Sequence, residues 1–370
     1  MKGKIVRRTL GLVLSAVILA AALYAAYVFL SYHRIGDRTL DVAHSYLAGA
    51  DAQAQPQYGA PETDTVYRVA SANIGFGAYS ADYSFFMDGG KESRARSADA
   101  VRENVTGEAA LLAQLAPELL LLQEVDTDGT RSHHVDETAY IVRAMAGCEV
   151  DEVFAQNYDS PYLLYPLTAP HGANRSGILT LSRFPVSSAV RRELPVENGF
   201  MKLLDLDRCY SVSRIPTANG RELVLYNLHL SAYTTDGAIA TEQLRLLCAN
   251  MLAEYEAGNY CVAGGDFNKD LLGSSPEIFG IAAGEGDTWA QPIPEGTIPA
   301  GLTLVAPFDA DAPVASCRTA SEPYSRETTF RLTVDGFLVS GNIEVADSAV
   351  LDAGFLYSDH NPVWMDFKLK

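Results

Sequence analysis

Read for its apolar positions, the chain falls into three zones. Residues 10–30 form an unbroken, uncharged apolar run; residues 36–61 show no sustained period; and from residue 63 onward short apolar runs alternate with helix-period stretches. About twenty apolar residues span a bilayer, so the first zone predicts a membrane-length helix. In the second zone only 39–47 has an amphipathic pattern, and the Ala/Gln/Pro/Gly-rich stretch 48–61 reads as a tether. The third zone begins with an alternating strand at 66–72. A helix over 97–115 follows, with Val101, Val105, Ala109, Leu112 and Leu115 on one face and Pro117 stopping it. The continuously apolar 119–122 predicts a strand covered on both sides. Further helices are expected over 130–145 and 239–255, further strands over 158–165, 178–182, 223–230, 333–340 and 363–369, and long loops over 280–322.

Several of these strands end abruptly in polar residues. The first runs into Asn73, and 119–122 runs into Gln123-Glu124. Asn227 and His229 lie two apart and share a face of their strand; after the apolar 260–263, Asp266 and Asn268 do the same within Gly264-Gly265-Asp266-Phe267-Asn268. Taken singly each has an ordinary explanation. A lone Glu is commonly an N-cap or surface acid, a Gly-Gly turn closes with an Asx-type bond, and a strand histidine is usually a satisfied core residue. Repetition at successive strand exits points instead to a site. Asp335 stands among apolar neighbours, and a buried unpaired carboxylate is costly; His360, in Ser358-Asp359-His360, is the obvious partner. The segment 75–90 carries Phe76, Tyr79, Tyr83, Phe85, Phe86 and Met87 between glycines, and either lines the site or packs as a flap on the domain body. The adjacent His133 and His134 face opposite ways in extended chain, which argues against a joint metal site.

Charge and cysteine content narrow the setting. Lys2, Lys4, Arg7 and Arg8 precede the apolar run and place the N-terminus in the cytoplasm, with the bulk of the chain outside. Small residues at 20–22 and 25–26 would suit a signal peptidase, but the run is longer than a usual signal-peptide core, which favours an uncleaved signal anchor over a secreted product. Beyond Arg8, 24 basic side chains stand against 46 acidic ones, a formal charge of −22. Proteins with general affinity for nucleic acid gain it from a basic surface, so nucleic acid is expected here only as a substrate. The five cysteines, Cys148, Cys209, Cys248, Cys261 and Cys317, form no C-x-x-C pair, so neither a zinc site nor a redox motif is readable.

In that order, Asn73, Gln123-Glu124, Asn227-Leu228-His229, Gly265-Asp266-Phe267-Asn268, Val334-Asp335 and Ser358-Asp359-His360 resemble the motifs of the endonuclease/exonuclease/phosphatase superfamily, which includes deoxyribonuclease-I-like and sphingomyelinase-like phosphoesterases. The resemblance covers nearly all of 63–370. It implies an α/β fold, a four-layer sandwich of two mostly antiparallel sheets flanked by helices, with the site at one end. It implies that Glu124 ligates a divalent cation, Mg²⁺ or Mn²⁺, with Asn73 and Asp359 close to the metal; these are hard oxygen donors, as Mg²⁺ prefers. His360 with Asp335 looks like a His–Asp dyad, Asp266 positions or deprotonates water, Asn268 holds a phosphate oxygen, and His229 donates to another oxygen or assists the leaving group. Arg131 and Arg175 are candidate substrate ligands. The expected organisation is a basic tip and anchor helix (1–34), a linker (35–62) and a catalytic domain (63–370), acting as an extracytoplasmic, monomeric phosphodiesterase. A phospholipid headgroup or small phosphodiester is the first substrate reading, an extracellular nuclease the second, and a catalytically silent tethered binding domain the reading of another class.

Overall fold

The computed structural model describes residues 2–46, 57–144, 149–197, 207–232, 237–282 and 289–370. The apolar run forms helix α1 (Lys2–Ser31), almost wholly exposed along its length. Beyond it lie two seven-stranded sheets. The first takes β1 (Arg38–Leu40), β7 (Ser188–Glu193), β8 (Cys209–Pro216), β9 (Glu222–His229), β10 (Tyr260–Asp266), β14 (Asp335–Ser340) and β11 (Leu302–Val305), in that spatial order. The second runs β15 (Ile343–Val350), β16 (Val363–Leu369), β3 (Tyr67–Asn73), β4 (Leu119–Gly129), β6 (Asn174–Ser182), β5 (Glu149–Asp159) and β2 (Val42–Tyr46). A two-stranded ribbon pairs β12 (Cys317–Arg318) with β13 (Arg331–Leu332). All sheet pairings are antiparallel except β3 with β4 and β9 with β10.

Alternation along each strand builds the layers. Leu119, Leu121, Val153 and Ile178 of one sheet meet Leu223, Leu225, Val262 and Phe337 of the other in a single inner core. The intervening Leu120, Leu122, Leu179 and Leu181 face outward and are covered by α2 (Ala98–Gln114) through Val101, Val105 and Leu112, and by α3 (Glu137–Ala144) through Ile141. On the other side α4 (Ala238–Glu256) lays Leu244, Leu247 and Met251 over Val224, Tyr226 and Leu228. Strands covered on both faces read as continuous apolar runs, which is why 119–122 shows no alternation. Ser97 caps α2, its side chain accepting from the Ala100 N–H at 3.1 Å. A short helix, α5 (Ser275–Phe279), precedes the long loops.

Four expectations change. Residues 38–46, expected within the linker, instead give one edge strand to each sheet, β1 to β7 and β2 to β5. Of the proposed tether, residues 48–56 lie outside the described residues, but Tyr58 packs on Phe184 and donates its N–H to the Arg183 carbonyl. The strand expected at 158–165 is mostly loop; the strand is β5, which starts nine residues earlier and turns Val153 and Ala155 into the inner core. The helix expected over 130–145 begins only at Glu137, because 129–135 is a tight turn closed by the His134 N–H on the Gly129 carbonyl. Cys209, Cys248, Cys261 and Cys317 are buried free thiols, and Cys148 is outside the described residues.

Candidate active site

The strand exits named above converge at one end of the sandwich, around a cavity of about 510 Å³ lined by Asn73, Glu124, His229, Asp266, Asn268, Asp359 and His360 among others. Backbone conformation aims several of these groups. At Glu124 the β4 ladder is interrupted between Leu122 and Val125, and Glu124 takes φ +54°, a left-handed value uncommon for a side chain of that size. Asn268 is likewise at φ +48°. Strain of this kind collects at functional sites, held in place by its surroundings. Gly265 has a separate reason: at φ +145°, a Cβ there would lie 2.1 Å from the Leu228 carbonyl, so only glycine lets β10 and β9 approach this closely.

Asp266 is the hub. Its Oδ1 accepts the Asn268 N–H at 2.8 Å, and its Oδ2 accepts Asn73 Nδ2 at 3.1 Å. His229 Nε2 stands 3.5 Å and His360 Nε2 3.9 Å from the same Oδ2. Burial pushes the Asp266 carboxyl up to about 7, the neighbouring Asp335 charge adding to it and His360 opposing it. His360 Nδ1 pairs with Asp335 Oδ2 at 2.8 Å, and Ser316 Oγ donates to that same oxygen at 2.7 Å. Burial alone would lower the imidazole, but the Asp335 charge and hydrogen bond hold it well above the ordinary histidine range. His229 goes the other way, well below that range, through burial and the nearby Arg208 and His360 charges; its Nδ1 is buried without a partner. Two histidines shifted in opposite directions beside a carboxyl raised to about 7 form an acid–base set.

Opposite lie the oxygen donors. Asn73 Nδ2 reaches Glu124 Oε1 at 3.3 Å. Asp359 is half-buried, and desolvation together with the nearby Glu124 carboxylate raises its pKa, against the charges of His360 and Arg318. Two carboxylates in mutual repulsion fit a hard divalent cation; Asn73 stands beside them, its Oδ1 accepting the Gly75 N–H at 3.0 Å. Asp266, Asp335 and His360 also offer ligand atoms within 4.8 Å of one another. There, however, Asp335 and His360 already satisfy each other through a hydrogen bond, so the Glu124–Asp359 side is the better cation site. Behind both, Gln123 Nε2 donates to Asn227 Oδ1 at 2.8 Å while Asn227 Nδ2 donates to the Leu122 and Leu179 carbonyls, a polar bridge between the sheets that fixes the two strand ends.

Of the two candidate substrate arginines, Arg131 lines a pocket that adjoins the cavity and shares Glu124, Arg208 and His229 with it. Arg131 is buried; its Nε and Nη2 donate to Asp126 at 3.0 and 2.7 Å, and its guanidinium lies between the rings of Phe76 and Tyr158. It braces the β4 exit. Arg175 is exposed and 3.8 Å from Asp159, away from the cavity lining. The cavity arginines are Arg208 and Arg318, with Cys317, whose Sγ is 3.5 Å from His360 Nε2. Arg318 is almost fully buried; Nη2 donates to the Ser80 carbonyl at 3.1 Å, and its Nε has no partner. None of these stands in a recognisable strand pattern, and only the spacing of a Cys-Arg pair from the Asp335 strand could have suggested them. The aromatic segment does both things expected of it. Phe76, Tyr83 and Phe85 pack into the body, while Tyr79, Met87 and Asp88 line the cavity.

Two antiparallel-rich sheets with paired strand ends carrying acid–base and oxygen-donor groups define a phosphoesterase architecture. Residues 70–360 match the Endonuclease/Exonuclease/phosphatase family, and the chain belongs to it. Among solved structures it resembles an endonuclease/exonuclease/phosphatase from Beutenbergia cavernae DSM 12333, at 19% identity and TM-score 0.53 over 82% of this chain and 72% of that one. It is similar also to one from Bacteroides vulgatus, at 15% identity and TM-score 0.52 over 83% of this chain and 100% of the other. ANGEL2, described as a 2',3'-cyclic phosphatase, shares 17% identity at TM-score 0.52, over 82% of this chain and 95% of that one. These likenesses establish the fold. No curated protein sequence matches the chain. Members of the family are hydrolases of phosphoester bonds and generally depend on divalent metal, and α1 is long and apolar enough to cross a membrane.

Proposed function

We propose that the chain is a membrane-anchored, extracytoplasmic, divalent-metal-dependent phosphodiesterase acting on a phospholipid headgroup or small phosphodiester. The observation that supports it most directly is Asp266, buried where Asn73, His229 and His360 converge. Asp266 accepts a proton from the attacking water, with the Asn268 N–H fixing the orientation of its carboxylate. Asp335 holds His360 in the Nδ1–H tautomer and stabilises its positive charge, so that Nε2–H faces the cavity as a donor to a phosphoryl oxygen. His229, kept neutral, offers a hydrogen bond to the leaving oxygen. Glu124 and Asp359, with Asn73, would hold Mg²⁺ or Mn²⁺, which when bound neutralises charge on the phosphoryl group and the leaving oxygen.

The nuclease reading loses support from the surface. Of the four arginines that could form a basic strip for nucleic acid, Arg94, Arg96, Arg131 and Arg175, three are neutralised: Arg96 pairs with Asp82 and Glu92, Arg131 with Asp126, and Arg175 with Asp159. The decisive assay uses the full chain in detergent with Mg²⁺ or Mn²⁺, with and without chelator, against sphingomyelin, bis-p-nitrophenyl phosphate and plasmid DNA. Metal-dependent turnover of a diester is expected, lost by about 10³-fold or more in Asp266→Ala and His360→Ala proteins that remain folded. Equal turnover by these variants would sink the assignment, and no turnover of any substrate would leave a silent tethered domain.

A further inference from the structure

Strand direction fixes where α1 meets the domain. β9 runs toward the site, ending at His229; β8 is antiparallel to it, so Cys209 is at the site end. β7 is antiparallel to β8 and β1 to β7, which places Glu193 and Arg38 at that same end. On the other sheet β4 passes the site at Glu124, so the start of β6 at Asn174 and the end of β5 at Asp159 also lie there. The chain therefore leaves α1 beside the cavity, and the 160–173 loop emerges beside it too. The junction is tied down: the Ile35 N–H donates to Asp207 Oδ1 at 2.7 Å, Arg34 pairs with Glu193 at 3.0 Å, and Arg191 binds the Ile35 carbonyl at 2.6 Å. Asp207 is followed by Arg208, which lines the cavity.

The loop itself is bonded to the helix. Tyr24 Oη donates to the Tyr162 carbonyl at 3.1 Å and accepts the Leu164 N–H at 2.9 Å; Tyr27 Oη accepts the Tyr162 N–H at 3.1 Å. Tyr24 lies seven residues before the end of α1 at Ser31, about 10 Å along the axis at 1.5 Å per residue. Tyr27 lies 19 residues beyond Arg8, the last basic residue before the apolar run, about 28 Å along the axis and close to a hydrocarbon core of about 30 Å, so Tyr27, with Tyr24 one turn below it, falls near the outer bilayer surface, where tyrosines concentrate. The loop touching them is apolar and uncovered: Tyr165 is 70% and Leu167 81% exposed, with Tyr162 and Leu164 also exposed. Tyr165 in turn packs on Phe86, whose neighbours Met87 and Asp88 line the cavity.

We propose that the catalytic end of the sandwich rests on the bilayer that α1 crosses, with the 161–167 loop seated in its surface, and that the substrate is a phospholipid of that leaflet. This rests on the anchored-phosphodiesterase reading above. An apolar loop hydrogen-bonded to a membrane helix has one occupant available to it, the lipid around that helix. A cavity opening beside it receives headgroups laterally, without lipid leaving the membrane. Water adds to phosphorus and the bond from phosphorus to the lipid alcohol oxygen breaks, releasing a phosphorylated headgroup and a neutral lipid alcohol that takes up the proton.

The test uses the full chain in nanodiscs of phosphatidylcholine and phosphatidylglycerol. A fluorophore is attached at Leu167→Cys or, as control, at Ala218→Cys, in the exposed turn between β8 and β9 at the opposite end. Doxyl-labelled lipids should quench the first and leave the second bright; equal, negligible quenching at both overturns the docking. A Tyr165→Glu/Leu167→Glu variant should release headgroup phosphate at least ten-fold more slowly while hydrolysing bis-p-nitrophenyl phosphate at the wild-type rate. Unchanged lipid turnover in that variant overturns the loop's role. Wild type that cleaves the soluble diester but no nanodisc lipid overturns the substrate, and wild type inactive on both overturns the phosphodiesterase reading while quenching still decides the docking.

Discussion

Two buried aspartate–cation pairs stand at the same end of this sandwich and do different work. Asp335 on β14 holds His360, and Asp126 on β4 holds Arg131 through two hydrogen bonds; both carboxylates are fully buried. In the first pair one nitrogen of the cation faces Asp335 and the other opens on the cavity, within 3.9 Å of Asp266. In the second, the guanidinium is clasped by Asp126 and covered by the rings of Phe76 and Tyr158. Ser132 Oγ and the Glu137 carboxyl close the remaining approaches to Asp126, at its side chain and its N–H. A buried charge becomes chemistry only when its partner leaves one face open.

The largest effect expected from this contrast is in Asp335→Asn. The amide preserves shape and the contact with Ser316 but no longer enforces the Nδ1–H tautomer or stabilises the imidazolium. Loss of the corresponding carboxylate in a hydrolytic triad costs about 10⁴ in kcat, so kcat should fall by about 10³–10⁴ with a much smaller change in the unfolding midpoint. A kcat within ten-fold of wild type would show that His360 does not depend on Asp335.

Asp126→Ala should invert that ratio. It strands Arg131 in a buried, ring-lined place, and breaking a buried pair by deleting one partner costs about 3–5 kcal/mol. Urea unfolding should show that loss, while kcat per folded molecule at low temperature falls far less than in Asp335→Asn. If kcat drops just as far with stability intact, Arg131 contacts substrate after all and the contrast between the pairs dissolves.

The same contrast explains what could be read from the chain. Asn73, Glu124, His229 and Asp266 were legible because each interrupts or ends an apolar strand, where sheets present side chains; Asp335 was legible as a carboxylate among apolar neighbours at the start of β14, and His360 as its partner. Their convergence followed from parallel pairing of β3 with β4 and β9 with β10. The pairing of Arg131 with Asp126 was hidden because Asp126 belongs to the exit of the same strand, and sequence shows proximity without showing which face is closed. Arg318 and Ser316 were invisible, since they sit in a long loop whose shape depends on contacts with Ser80 and Asp335. β1 and β2 were hidden for another reason: edge strands of three and five residues carry one or two inward side chains, too few to make a period.

Glu108 tests the rule from the side of an acid with no cation at all. It lies buried on α2 with Oε1 unpartnered, and burial pushes its carboxyl up to about 8, the His360 charge opposing weakly. The folded state therefore holds a proton that an unfolded glutamate, at about 4.3, releases. Stability contributed by this group is complete below about pH 4 and declines as pH rises toward 8, because the unfolded chain binds fewer protons across that window. Glu108→Gln removes the decline. Relative to wild type, the variant should gain on the order of 1–3 kcal/mol between pH 5 and pH 8.5, read as the difference in urea midpoints at the two pH values. A pH-independent difference would mean that Glu108 ionises freely in the folded protein and that a partner supplies what Asp126 and Asp335 obtain from Arg131 and His360.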